Sequence, residues 1–197
     1  MLTLNGGTLQ TTASFTLNSN RGIALGPSAA SGTGTIEVTG SNVVTYGGIV
    51  ADNGTGADAL SKTGTGTLTL SGTNTYIGIT TVSAGTLSVS ADANLGTAPG
   101  SATAGHLVLD GGTLQATASF ALASNRGTAL GSSGGTGTGM IEVTGTNNLT
   151  YGGILADNGA GADALSKTGT GTLTLNGTNT HAGTTTVNAG TLAGTGS

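Results

Sequence analysis

Between Thr63 and Leu70, Thr63, Thr65, Thr67 and Thr69 alternate with Gly64, Gly66, Leu68 and Leu70. A period of two puts threonine on one side of a strand and leucine on the other. Further on, Val82 holds an even position while Leu87 and Val89 hold odd ones. The inward parity therefore flips across Ala84-Gly85, and the backbone turns a corner there. Strand, corner, strand, with the apolar side always facing one way, describes a coil of β-structure. The same reading predicts strands at Leu2–Leu4, Thr8–Gln10, Ser14–Leu17, Thr35–Val38, Val43–Tyr46, Thr67–Leu70, Thr80–Val82 and Thr86–Val89, divided by clusters of Gly, Asn, Asp and Ser. No window sustains a 3.6-residue period, so essentially no α-helix is predicted. Ala91–Gly105, with Pro99 and five alanines, reads as a longer loop.

The whole pattern then recurs. Leu2-Thr3-Leu4-Asn5-Gly6-Gly7-Thr8-Leu9-Gln10 returns as Leu107-Val108-Leu109-Asp110-Gly111-Gly112-Thr113-Leu114-Gln115, an offset of 105 residues that holds to the C-terminus without an insertion. Most paired positions are identical. The expected organisation is one long repeat copy over 1–105 and a second, truncated at its C-terminal end, over 106–197. The chain opens and closes inside a repeat, which reads as an excerpt of something longer.

Two architectures accommodate these strands. One is a parallel β-solenoid with turns of about 20–26 residues. The other is a pair of immunoglobulin-like sandwiches, which Asn5-Gly6-Gly7 as a hairpin turn would suit. Sandwich cores need bulky inward residues, and Phe15, Tyr46, Tyr76, Phe120 and Tyr151 are the only aromatics. Small uniform side chains suit identical turns stacked about 4.8 Å apart. Gly-Thr strands specify antiparallel register poorly. The solenoid is the better reading.

Composition narrows the function. Glycine accounts for 39 of 197 residues without collagen spacing, and charged residues for only 6%. Disorder is disfavoured because 35% of residues are hydrophobic and recur in regular short strings. Four basic residues and a net charge of −4 leave nothing to neutralise phosphates, so no nucleic-acid partner is expected. No apolar run approaches the ~20 residues of a membrane helix, so this segment is not expected to insert in a bilayer. Cysteine is absent. A repeat array needs no disulfides, because each unit buries its face on the next.

Lys62-Thr63-Gly64-Thr65-Gly66-Thr67-Leu68-Thr69-Leu70-Ser71-Gly72-Thr73-Asn74-Thr75-Tyr76, followed by Thr80-Thr81-Val82-Ser83-Ala84-Gly85-Thr86-Leu87, resembles the autotransporter-associated β-strand repeat of bacterial passenger domains. Ala91–Gly96 and Gly112–Gly127 resemble the spacers such proteins carry. The resemblance implies a right-handed parallel β-helix on or outside a Gram-negative cell surface, exported through a C-terminal barrel that this sequence lacks. Ile77, Ile79 and His181 depart from the motif. The family serves as scaffold or adhesin, and the resemblance names no ligand.

Candidate sites are few. Gly54-Thr55-Gly56-Ala57-Asp58-Ala59-Leu60 and Gly159–Leu165 fit the core of a calcium nonapeptide, with Asp52 as a further oxygen donor. Each is an isolated copy with Asn53 or Asn158 in place of the first Gly, and a polar turn is the simpler reading. The Thr-x-Thr string offers a flat array of hydroxyls and methyls to a glycan or an ice surface, provided adjacent turns repeat it. Arg21, Glu37 and Lys62 recur as Arg126, Glu142 and Lys167. With about five turns per copy, equivalent charges would lie about 24 Å apart. Arg21 and Glu37 are candidates for an ion pair of small worth. His106 and His181 read as solvent-facing. Asn53-Gly54-Thr55, Asn148-Leu149-Thr150 and Asn176-Gly177-Thr178 match the glycosylation triplet by chance in such a composition.

Glu37 and Glu142 are the only glutamates, and no nucleophile has a paired base, so no catalytic, metal or cofactor residue is assigned and no enzyme is expected. The expected role is a stiff extracellular stalk or adhesin segment. Its partners would be neighbouring repeats of the same or an identical chain, joined end to end into filaments. A ligand-binding threonine face, with host or cell-surface glycans as partners, is the alternative.

Overall fold

The computed structural model describes residues 1–195. The chain winds as a parallel β-solenoid with three faces per turn. The first turn comprises β1 (Leu2–Leu4), β2 (Thr8–Thr11) and β3 (Phe15–Leu17). The second comprises β4 (Ile23–Leu25), β5 (Thr33–Val38) and β6 (Val43–Tyr46), and the third β7 (Val50–Asp52), β8 (Ala59–Thr63) and β9 (Thr67–Leu70). In the fourth, irregular residues 73–77 carry the first face, ahead of β10 (Thr80–Val82) and β11 (Thr86–Val89). In the fifth, a single 3-10 turn, Asp92–Leu95, takes that place before β12 (Thr103–Leu109) and β13 (Thr113–Ala116). Then follow β14 (Phe120–Leu122), β15 (Arg126–Leu130) and β16 (Thr138–Val143), and next β17 (Asn148–Tyr151), β18 (Leu155–Asp157) and β19 (Ala164–Thr168). The eighth turn has β20 (Thr172–Leu175) and β21 (Thr185–Val187), and β22 (Thr191–Ala193) opens the ninth.

All strand pairings are parallel. The second face is a seven-stranded sheet and the third an eight-stranded one. The first face consists of a three-stranded sheet, β1-β4-β7, and a four-stranded one, β14-β17-β20-β22. Residues 73–77 and the 3-10 turn bridge the two. Successive turns take from 19 residues (Thr67 to Thr86) to 29 (Phe15 to Val44), a wider range than 20–26. The stack continues unbroken where the copies meet, since β10 pairs with β12 and β11 with β13.

Inward side chains form files along the axis. On the third face Val44, Leu68, Leu87, Leu114 and Ile141 lie in one register file, and Tyr46, Leu70, Val89, Ala116 and Val143 in the next. All are buried. Each buried Leu or Val contributes about 1.5–3 kcal/mol by leaving water. The three tyrosines fill the bore rather than the surface. Corners need glycine where φ turns positive, as at Gly85 between β10 and β11 (φ 62°), the corner where the inward parity flips.

The copies are not superposed along the axis. Leu2–Leu4 lies on the first face of turn one, whereas Leu107–Leu109 lies on the second face of turn five. Thr8–Thr11 moves likewise from the second face to the third, and Thr67–Leu70 from the third to the first. One 105-residue copy therefore advances four and one-third turns, not five. Equivalent residues lie about 21 Å apart along the axis, rotated by one face.

The strand prediction missed β4, β7 and β8. Two of these are only three residues long, too short to show alternation, and β8 points a lysine inward. The Ala91–Gly105 loop holds the 3-10 turn and the start of β12. Asn5-Gly6-Gly7 joins two strands that do not pair with each other; it is a corner, with Gly6 at φ 71°.

Candidate functional site

Five of the twelve charged side chains lie inside the fold. Asp58, Lys62, Arg126, Asp163 and Lys167 are fully buried. Lys62 stands in the inward file between Ile36 and Val82. Its ammonium donates to the carbonyls of Thr63 (2.8 Å), Gly64 (2.8 Å) and Ala84 (3.2 Å) at a corner. Burial lowers its pKa to about 8, partly offset by the Glu37 carboxylate. Lys167 repeats the arrangement with Thr168, Gly169 and Ala189, and its pKa is lowered for the same reason. Each lysine thus pins one turn to the next through carbonyls that a sharp corner leaves without backbone donors.

Asp58 works in the opposite sense. Its carboxylate accepts from the backbone N–H of Gly32 (2.8 Å) and of Asn53 (3.1 Å). Asp163 does the same for Gly137 and Asn158. Gly26, at φ 70°, is required beside it, because a Cβ there would lie 1.8 Å from Asp58 Oδ1. Asp52 accepts from the N–H groups of Asp58 (2.9 Å) and Ile77. The calcium-like segments are therefore turns whose carboxylates bind backbone. No group of three or more metal-ligating side chains exists among the described residues.

Arg126 is the most heavily bonded charge. Its guanidinium meets Asp92 (Nε to Oδ1, 3.2 Å; Nη2 to Oδ2, 3.3 Å) and donates to the carbonyls of Leu95 and Gly96, both at 2.9 Å. His106 Nδ1 lies 3.1 Å from Nη1, and its Nε2 lies 3.2 Å from the Ile77 carbonyl. His106 is therefore buried and acts as a neutral acceptor toward Arg126 while donating from Nε2. Burial lowers its pKa below the ordinary value, countered by the Ile77 carbonyl. This corrects the solvent-facing reading: the Asp92–Gly96 turn packs over a position that local sequence leaves open. His181 is also not free in solvent. It takes the place of Tyr76, half-buried, with Nε2 2.8 Å from Thr185 Oγ1 as the Tyr76 hydroxyl is 2.7 Å from Thr80 Oγ1.

Arg21 is exposed and makes no pair with Glu37, whose carboxylate accepts from Gln10 Nε2 (2.8 Å). The Arg126–Asp92 bridge is the salt bridge among the described residues. Asn53 Nδ2 donates to the Gly26 carbonyl at 3.0 Å, so that triplet's amide is engaged.

The outward threonines form ladders. On the third face, Val43, Thr67, Thr86 and Thr113 occupy one outward file, and Thr16, Thr45, Thr69 and Ser88 the next. The single Thr-x-Thr string per copy is thus extended by neighbouring turns with different sequences. Beyond them Met140 interrupts the first file, and Gln115 and Glu142 the second, in which Ser88 is itself buried. The equivalent strip of the second copy, with Thr172, Thr174 and Thr191, appears on the first face. Neighbour files lie about 7 Å apart along the strand and turns about 4.8 Å apart along the axis. Sequence reasoning could see the threonines but not that register.

A family model described as passenger-associated-transport-repeat matches residues 60–89 and 165–193. These segments run from β8 to β11 and from β19 to β22, and they include both buried lysines. The adhesin BmaC autotransporter of Brucella suis biovar 1 (strain 1330) is 37% identical over 161 residues, covering 79% of this chain and 4% of that protein. The chain thus spans a small fraction of this relative's length. No solved structure matches. Repeated transport-repeat segments on a parallel solenoid, with similarity to a segment of an autotransporter adhesin over 79% of this chain, place the chain in the autotransporter passenger repeat family.

Proposed function

We propose that this chain is a rigid scaffold segment of an adhesin-type passenger, at the cell surface or secreted, which spaces other parts of the molecule away from the cell. The carrying observation is the continuous stack of parallel strands from β1 to β22, with corner charges spent on backbone groups. The similarity to an autotransporter adhesin supports the setting. Stiffness follows from the geometry: each turn bonds its neighbours along the axis and buries its apolar files against them. The test is small-angle scattering on the chain and on a chain with residues 1–105 duplicated. A rod that lengthens by about 21 Å with unchanged cross-section is expected. A compact or flexible particle would contradict the scaffold role.

End-to-end joining belongs to the same reading. Leu2, Leu9, Leu17 and Phe15 are only partly covered at one end, and Val187 and Leu192 at the other. Open sheet ends with few lysines favour self-association. Sedimentation should show concentration-dependent growth, and a monomer at all concentrations would count against filaments.

The threonine strip favours a second reading, a weak contact surface for glycans or ice. Thr67→Lys with Thr69→Lys should abolish any such binding without unfolding the rod. Unaltered binding would remove the strip from consideration.

A further inference from the structure

We infer that the exposed edge around Arg21 is a socket for an Asp-Ala-Asn-Leu-Gly turn supplied by another copy of the repeat. Ser19-Asn20-Arg21-Gly22 and Ser124-Asn125-Arg126-Gly127 are the same four residues, one copy apart. The second set is occupied. Asp92 and the Leu95 and Gly96 carbonyls bind the guanidinium, and Asp92 Oδ1 also accepts from the backbone N–H of Ala123 at 3.0 Å. Arg126 is completely buried by this arrangement, whereas Arg21, beside Met1, Asn18 and Asn20, lines an open hollow at the first turn. Asp92-Ala93-Asn94-Leu95-Gly96 occurs once in the sequence and is already engaged, so the occupant comes from elsewhere.

The turn has a second face, and that face too has an unfilled counterpart. Asn94 Nδ2 donates to the Gly72 carbonyl (2.9 Å), and Asn74 Nδ2 donates to the Asn94 carbonyl (2.6 Å), while Asn74 Oδ1 accepts from Val50 N–H (2.8 Å). Both asparagines are buried. In the second copy Asn179 stands for Asn74. Its Nδ2 falls back on the Gly177 carbonyl at 3.3 Å, and its Oδ1 is buried with no partner among the described residues. In the first copy the turn reaches the amide through Nδ2, so the long contact of Asn179 Nδ2 with its own neighbourhood marks the place that a carbonyl like that of Asn94 would fill, while Oδ1 lacks a backbone donor such as Val50 N–H gives Asn74. The Asp-Ala-Asn-Leu-Gly turn is therefore a two-sided joint. Asparagine grips the preceding turn, and aspartate with two carbonyls grips the arginine of the next. At Arg21 the joint would keep the carboxylate and both carbonyls and lose the histidine, because Met1 stands where the second copy has His106.

The test extends the full chain at its amino end with a second copy of residues 1–105 and follows amide and Arg Nε–H hydrogen exchange at the original residues 18–23. Exchange there should slow about tenfold or more on extension. Asp92→Asn in the added copy alone should return most of that protection. The 197-residue chain should show the contrast internally, with Arg126 Nε–H protected and Arg21 Nε–H exchanging freely. A shorter extension, residues 71–105, serves if the longer one aggregates. Unchanged exchange at 18–23 in a folded extension would overturn the inference. Failure of both extensions to gain β-structure would overturn it too, since a repeat that does not seat on that edge has no joint there.

Discussion

Arg21 and Arg126 share a local sequence and differ in everything else. One is exposed on the first turn, and the other is buried under a turn 30 residues earlier in sequence. The difference shows that in a solenoid the fate of a side chain is decided by the neighbouring turn rather than by its own strand. Asn74 and Asn179 teach the same at the other end. The Nδ2 of Asn74 donates to the Asn94 carbonyl of the next turn, whereas that of Asn179 has only the Gly177 carbonyl two residues away at 3.3 Å.

That comparison breaks most visibly at the arginines. Arg126→Ala leaves two buried carbonyls without their donors and the part-exposed Asp92 without its cation, and should cost about 3 kcal/mol in urea unfolding. Arg21→Ala should change stability by no more than about 0.5 kcal/mol. Equal costs would mean that the two sites are equally covered. Lys62→Met comes next, because three corner carbonyls lose their donor; a loss of about 1–3 kcal/mol is expected by thermal or urea denaturation. Lys167→Met should cost less, since its partner Ala189 lies on the exposed last turn.

Two smaller effects are read from pH. His106 is held neutral in the fold, below its ordinary pKa of 6.5. The unfolded chain therefore binds more protons as pH falls below about 6.5, and stability should decline toward acid pH through that window. His106→Gln should flatten the slope; an unchanged slope would assign it to other groups. Lys62 titrates at about 8 in the fold against an ordinary 10.5. Between those values the unfolded chain holds the proton that the native lysine has released. Stability should therefore rise modestly from pH about 8 to about 10.5, and the rise should vanish in Lys62→Met.

Much of this architecture was legible in the residues. The Thr/Leu alternation gave β9, the parity flip gave the corner at Gly85, and the offset between Leu2 and Leu107 gave the repeat. What stayed hidden depends on which turn lies over which. Turn lengths of 19 to 29 residues cannot be summed from propensity, so the fractional turn per copy was invisible. His106 reads as a surface residue because a lone polar side chain normally means exposure, and nothing local marks Lys62 as buried; only the stack reveals the carbonyls that each one meets. The threonine ladder likewise depends on register between strands as different as Val43–Tyr46 and Thr86–Val89.

The rotation of each copy by one face is open to a direct distance measurement. The sequence lacks cysteine, so spin labels can be placed in pairs at Thr69 with Thr168 and at Thr69 with Thr174. Thr69, Ser88, Gln115, Glu142 and Thr168 share one outward file on the third face, whereas Thr174, the repeat equivalent of Thr69, lies on the first. The Thr69–Thr168 backbone separation should be the shorter, at about 19 Å for four turns, with Thr69–Thr174 clearly longer because it also crosses the solenoid. Should Thr174 instead prove the nearer, at a purely axial spacing from its repeat equivalent, the copies would be stacked face on face and the four-and-one-third-turn winding would be wrong.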